Sequence, residues 1–403
     1  MTWIEQFLEA TKGSESPRKF FYWAGLYSIA AVVKNQVYLD KFYYKLYPNI
    51  FVCFVARSGL RKGIPIAMAK AMVSEVNNTR IISGRSSIQA IIKDLSTAVT
   101  LNNGGPPLVD AVGAMFSSEF ASFLVQDPQA LTILTDLYDG HYNPDWVNTT
   151  KGGGAEKLKN VCLNLIGASN EVHFRDAVPD NALGGGFIGR TLIVYASDKA
   201  CVNPLTERPQ TLAPLTELAK YLRELGKLKG EFKWSQKGKE LYNAWYQKFN
   251  EANENTDDTG TLDRIHDQIL KAAMLISLSR KADLVLEVED IAEAISECLR
   301  LVPGVRKVTM GAGKSSYAPG TAIVLKELIQ RPDHMVSKTY LLQRFWGHFD
   351  TADLDKIIQT LLDSRAIKIE DKQIEGKPLG MREKWLILEP KVLENYEKKQ
   401  EKK

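Results

Sequence analysis

Residues 49–73, NIFVCFVARSGLRKGIPIAMAKAMV, carry an apolar run into a small basic turn and out again into an apolar helical pattern. That layout can bind phosphate. Consecutive backbone N–H groups and a helix N-terminus converge on the anion, a lysine reaches the terminal phosphates, and a hydroxyl after the lysine holds the metal. Set against G-x-x-x-x-G-K-[ST], positions 56 to 63 are Ala56, Arg57, Ser58, Gly59, Leu60, Arg61, Lys62 and Gly63, followed by Ile64. Lys62 and Gly59 fit the pattern; Ala56, Arg61 and Gly63 depart from it. The competing reading is an ordinary strand-turn-helix junction with basic turn residues.

Phosphoanhydride hydrolysis also needs an acid at the tip of a neighbouring strand, to hold magnesium or polarise water. DAVGAMFSSEF offers Glu119, with Ser118 where an aspartate would usually precede it, and Asp110 as a weaker candidate. Glu119 can equally be a first-turn glutamate that complements a helix dipole. Past the run NVCLNLIGASN, Ser169 or Asn170 is placed to sense a γ-phosphate. GGGFIGRTLIVYA sets Arg190 at the head of an apolar segment, where a buried guanidinium needs an anionic partner. Arg264 opens the helical pattern LDRIHDQILKAA, another position suited to a phosphate contact. By contrast, GAGKSS at 311–316 lacks a lead-in strand and has Pro319 close behind, so it reads as a connector.

The elements that must position these residues follow from the periodicity. Residues 1–48 read as an N-terminal helical segment, with a helix through RKFFYWAGLYSIAAVVKN that is apolar nearly all round and must pack on something larger. Over 49–204, strand-like runs NIFVCFV, TRIIS, DAVGAMF, NVCLNLIGAS and RTLIVYA alternate with helical stretches, which predicts a mostly parallel sheet covered on both faces. Residues 205–307 show helical periodicity and read as a helical lid domain, 308–318 as a linker, and 389–403 as a basic tail. Between them, 319–388 runs helix, short helix, third helix, then the strands AIKIE and KWLIL, the order of a winged helix. Its third helix starts with three aspartates, which disfavours phosphate contact and leaves protein docking open.

HYNPDWVNTTKGGGAEKLKN reads as a glycine-tipped hairpin bearing Trp146, Lys151, Lys157 and Lys159, which can grip a nucleic-acid backbone or stand as a solvated surface hairpin. The net charge of +4 is too small to decide between these. Cys53, Cys162, Cys201 and Cys298 have no metal-ligand spacing and predict reduced thiols in a cytoplasmic protein. The N-terminus lacks the basic flank and apolar core of a signal peptide, and no run is long enough to span a bilayer.

In order, WAGLYSIAAVVKNQVYLD…LYPNIFVCFVARSGLRKG, SSEFASFL, LTDLYDG, LNLIGASN, GGGFIGR and RIHDQILKAAMLISL resemble a family of phage, prophage and plasmid ATPases related to primase-helicases, over roughly residues 3–300. The resemblance implies an α/β P-loop core of the RecA/AAA+ type. GFIGR with a helical lid and winged helix is also similar to the minichromosome-maintenance type of replicative helicase. Family members read Gly-Pro-Ser-Gly around the loop and carry Ser or Thr after the lysine, so Ala56, Arg57, Gly63 and Ile64 are departures that bear on metal binding and turnover. The implied activity is that of an ATP-driven, ring-forming DNA motor using ATP and Mg2+. Glu119 would be the base, Arg190 would act in trans, and single-stranded or forked DNA, a hexameric assembly and a primase or polymerase would be the partners. The alternative is a non-hydrolysing scaffold or helicase loader.

Overall fold

The computed structural model describes residues 1–84, 87–99, 107–127, 129–140, 142, 145–150, 154–178, 186–204, 215–252, 260–309, 318–373 and 382–393. The chain divides into two compact units, Met1–Gly313 and Lys314–Lys403.

The first unit opens with α1 (Trp3–Ala10), started by a reciprocal capping box between Thr2 and Glu5, and α2 (Arg18–Val33), which begins directly after Pro17. Helix α2 is buried on nearly every side, as its uniform apolarity requires; Phe20 stacks on Phe54 at 4.6 Å and the Tyr27 hydroxyl donates to the Met115 carbonyl at 2.9 Å. The expected helical segment ends sooner than 48. Residues 37–46 instead form a small antiparallel hairpin, β1 (Val37–Asp40) and β2 (Lys45–Leu46), whose other edge pairs in parallel with β10 (Gly230–Glu231).

The central sheet comprises β3 (Phe51–Val55), β4 (Arg80–Ser83), β5 (Val112–Ser117), β8 (Cys162–Ser169) and β9 (Thr191–Tyr195). Its order is β4-β5-β8-β3-β9 and every pair is parallel. All five are the strands expected from the apolar runs. Strands β3, β5 and β8 are buried along their whole length, as strands covered on both faces must be. Helices α3 (Gly63–Val76), α4 (Ile88–Ser96), α5 (Phe120–Gln126), α6 (Ala130–Tyr138), α7 (Glu171–Ala177) and the single turn α8 (Phe187–Arg190) make the connections. An antiparallel hairpin, β6 (Trp146–Thr150) and β7 (Gly154–Leu158), stands between α6 and β8. A five-stranded parallel sheet of this kind is compatible with a P-loop nucleotide-binding core.

Helices α9 (Leu215–Leu225), α10 (Gln236–Ala252), α11 (Thr261–Arg280), α12 (Val288–Leu299) and α13 (Val302–Thr309) follow, with β11 (Lys233–Trp234) and β12 (Val285–Leu286) as a short parallel pair. The first four share one apolar core with α1, α2 and part of the sheet, whereas Val305 and Val308 of α13 pack in a second core with α4, α5 and α6. Helix α11 is buried from Gln268 to Ser279, so the segment expected as a lid is contiguous with the first unit.

The second unit holds α14 (Ala318–Gln330), β13 (Met335–Ser337), α15 (Lys338–Arg344), α16 (Thr351–Asp363), β14 (Ile367–Gln373) and β15 (Arg382–Leu388) around its own core, with sheet order β13-β15-β14. The acids at the start of α16 are locally employed: Asp350 caps the helix by accepting from the Asp353 amide at 2.8 Å, and Asp355 pairs with Lys338 at 2.5 Å. The connector GAGKSS and the tail from 394 lie outside the described residues, as does most of the expected linker.

Candidate functional site

Strand β3 ends at Val55 and the chain turns through residues 56–62 into α3. Gly59 and Arg61 both take left-handed backbone angles, φ +90° and +54°. Glycine does this freely; arginine does not, and it must be held there. Two N-terminal residues hold it. The Ser16 hydroxyl donates to the Arg61 carbonyl at 2.6 Å, and Arg61 Nε donates to Glu15 at 3.2 Å. Glu15 is nearly buried and also accepts from Lys199 at 2.9 Å and from the Asn203 amide at 3.4 Å. These cationic partners and hydrogen bonds hold its carboxyl below the usual glutamate range. The conformation that the missing glycine would have allowed is thus imposed from outside the loop.

The turn is open. Arg57, Ser58, Gly59, Arg61, Gly63 and Ile64 are exposed, while Leu60 anchors the loop in the core. Lys62 curls over the turn, its Nζ donating to the Ala56 carbonyl at 2.7 Å and the Arg57 carbonyl at 3.1 Å. An ammonium has three donors, so one remains for an anion. Partial burial lowers the Lys62 pKa, while the charges of Glu119, Cys53 and Glu171 act in the opposite direction.

The sheet order explains those interactions. At the C-terminal rim, the loop after β3, the residues after β8 and those after β5 lie side by side, with Val55 opposite Ser169 and Ser117 opposite Gly167. Two strand spacings, about 10 Å, therefore separate the loop from the Glu119 segment, enough for a phosphate and a water. Glu119 is exposed at the N-cap position of α5 and its side chain makes no capping bond. Ser169 is buried and its hydroxyl donates to the Asn170 carbonyl at 3.0 Å. Asn170 caps α7 through Oδ1, which accepts from the His173 amide at 2.7 Å, so its Nδ2 is the group it can offer a ligand. Asp110 precedes β5 and lies at the other end of the sheet, bonded to Asn160 at 2.9 Å. Glu15, Ser16 and Glu171 escape a sequence reading because nothing local marks them.

Arg190 and Arg264 belong to the opposite rim. Arg190 directly precedes β9, so five residues of strand, about 17 Å, separate it from the level of the loop. The anionic partner expected on a neighbour is supplied within the chain: Arg190 Nε donates to Asp139 at 3.0 Å, a second guanidinium nitrogen contacts the same oxygen, and Nη1 donates to the Gly186 carbonyl at 3.0 Å. Arg264, expected to contact phosphate, stands beside Arg190 rather than Lys62. An added Cβ on Gly186 would meet the Arg190 guanidinium, with Arg264 Nη2 at 3.6 Å.

Beneath these arginines lies a buried polar network. Lys271 on α11 is fully buried and donates to Asn49 through the carbonyl at 3.1 Å and Oδ1 at 2.7 Å, with its ammonium 3.9 Å from the centre of the Tyr138 ring. Asn49 in turn donates to the Tyr138 carbonyl at 3.0 Å and stands just before β3. Burial pushes the Lys271 pKa down to about 7.

In the β6–β7 hairpin, Trp146 pairs with buried Leu158 and packs partly on the core, while Lys157 lies across from exposed Val147 on the other face. Trp146 therefore does not share a face with Lys157. Lys157 and Lys159 are exposed, and Lys151 lies outside the described residues. Among the described residues no group of three or more His, Cys, Asp or Glu side chains could hold a metal ion, and no helix is long and apolar enough to cross a membrane. The chain matches no protein-family model and no curated protein.

Proposed function

We propose that the chain is a RecA/AAA+-like P-loop ATPase working as a ring-forming DNA motor, with a winged helix in its second unit. The observation that supports this reading best is the Lys62 ammonium, bonded to both carbonyls that open an exposed left-handed turn, on the same rim of the sheet as the Glu119 segment two strands away. In this reading the loop amides and Lys62 hold the β- and γ-phosphates, Glu119 accepts a proton from the attacking water, and the Asn170 amide contacts the γ-phosphate. Bound magnesium would neutralise phosphate charge. Gly63 offers it no hydroxyl, so phosphate oxygens and water would hold it, with Glu119 the carboxylate this chain provides. Arg190 and Arg264, on the far rim, can reach such a site only on another copy, which calls for a head-to-tail assembly, six-fold by resemblance. DNA would thread that assembly, with a primase or polymerase acting alongside.

Gly63 supports a second reading, a nucleotide-bound scaffold or loader without turnover. DNA-stimulated ATP hydrolysis separates the two. The motor predicts activity in the wild type, loss in Lys62→Ala and in Arg190→Ala, and partial recovery when the two variants are mixed. Absence of wild-type turnover at every magnesium concentration would leave the scaffold.

A further inference from the structure

The turn of the β1–β2 hairpin reads Asp40-Lys41-Phe42-Tyr43-Tyr44-Lys45. Phe42 is 87% exposed and Tyr43 89%, so two adjacent large rings stand in water. They are not loose. The Phe42 amide donates to Asp40 Oδ1 at 2.9 Å, the Lys41 amide to the Tyr44 carbonyl at 3.0 Å and the Tyr43 amide to the Lys41 carbonyl at 2.8 Å. The rings meet edge to face with centroids 4.8 Å apart. Phe42 adopts φ +68°, a region a bulky residue enters only at a cost, and such strain concentrates at working surfaces. Beside them, half-buried Tyr44 lies against Tyr142 at 4.6 Å, and Tyr142 is 57% exposed, so the aromatic surface extends past the tip.

The surrounding charge selects the partner. Lys41 and Lys45 flank the rings in the chain, the Lys45 ammonium leaning back along β1 to 4.3 Å from the Tyr38 ring. Asp40 is employed in ordering the turn. Exposed flat rings bracketed by cations suit a polymer that alternates π-faces with phosphates, and a base can stack on either ring whatever its identity. We propose that this tip is a stacking site for single-stranded nucleic acid, separate from the β6–β7 hairpin. It names a polymer contact of the motor and rests on that reading for its role, although binding itself needs no turnover.

The test is the anisotropy of a fluorescein-labelled oligo-dT 20-mer titrated with full-length protein without nucleotide. Phe42→Gly with Tyr43→Ala removes both rings and keeps a residue suited to the left-handed angle; it should weaken binding on the order of tenfold to a hundredfold. Tyr43→Trp should retain binding. Lys41→Ala with Lys45→Ala should reduce the slope of log affinity against log salt by about 1.4. No binding by the wild type overturns the proposal, as does unchanged affinity in the ring-deleted variant. So does a ring-deleted variant that binds oligo-dT normally but sediments as a smaller species, which would make the tip a contact between copies. Wild-type binding without any ATP turnover would sink the motor and leave this site standing.

Discussion

Arg190 and Asp139 form a charge-paired contact at the rim of the sheet opposite Lys62, with Arg190 Nε 3.0 Å from the carboxylate. Both side chains are largely covered, so removing one leaves the other charge poorly solvated. Asp139→Ala should therefore lower unfolding stability by about 2 kcal/mol in urea titrations. If Asp139 also positions Arg190 for a neighbour's nucleotide, Asp139→Asn should reduce kcat for ATP more than it raises KM. An equal loss in both, or none, would confine the pair to a structural role.

Glu15 holds the β3–α3 turn in shape through Arg61, so if that turn binds nucleotide as proposed, loss of Glu15 should be felt in binding. Glu15→Ala should weaken a fluorescent ATP analogue on the order of tenfold, because the loop must then be ordered by the ligand itself. Arg61→Gly removes the pair together with the need for it and should bind within about threefold of wild type. If Glu15→Ala binds as tightly as the parent, the turn does not depend on this external hold.

A hydroxyl can be restored after the lysine. A Cβ added at Gly63 meets nothing within 4 Å and the position has no left-handed angle. Gly63→Ser should accordingly raise magnesium-dependent ATP hydrolysis and shift its magnesium optimum to lower concentration. A variant that folds normally but shows neither change would argue that metal coordination does not limit the site.

The pKa of Lys271 is lowered from 10.5 to about 7 by burial, so the unfolded chain binds its proton more readily between these values. More protons on the unfolded state means stability rises with pH. The penalty for burying the ammonium is complete below about pH 7 and is relieved progressively up to about pH 10. Thermal melts across that interval should show this rise, and Lys271→Met should flatten it. An unchanged pH profile in the variant would assign the slope to other groups.

Much of the core was legible because buried parallel strands are near-continuous apolar runs: Phe51–Val55 and Cys162–Ser169 are apolar almost throughout and bounded by turn residues. Val37–Asp40 was not, since its partners are a two-residue strand across a short turn and Gly230–Glu231 far along the chain. The positions of Lys62 and Glu119, at the N-caps of the helices that follow β3 and β5, were legible because each comes shortly after a buried strand. Glu15 and Lys271 were not. The role of Glu15 depends on residues 15, 61 and 199 meeting, and Lys271 reads as an ordinary helix lysine until Asn49 and Tyr138 close around it. Asp139 lay within the quoted LTDLYDG, yet only the fold reveals which arginine it faces.

All five central strands point the same way, which gives the molecule a front and a back of unlike character. Two copies related by a dyad meet through the same end, so neither the Lys62 rim nor the Arg190 rim of one can reach the other rim of its partner. Front-to-back stacking avoids this, but it is self-limiting only when the rotation per step divides a full circle. If the proposed ring forms, a substitution that alters that angle by a few degrees should turn it into an open filament whose length grows with concentration.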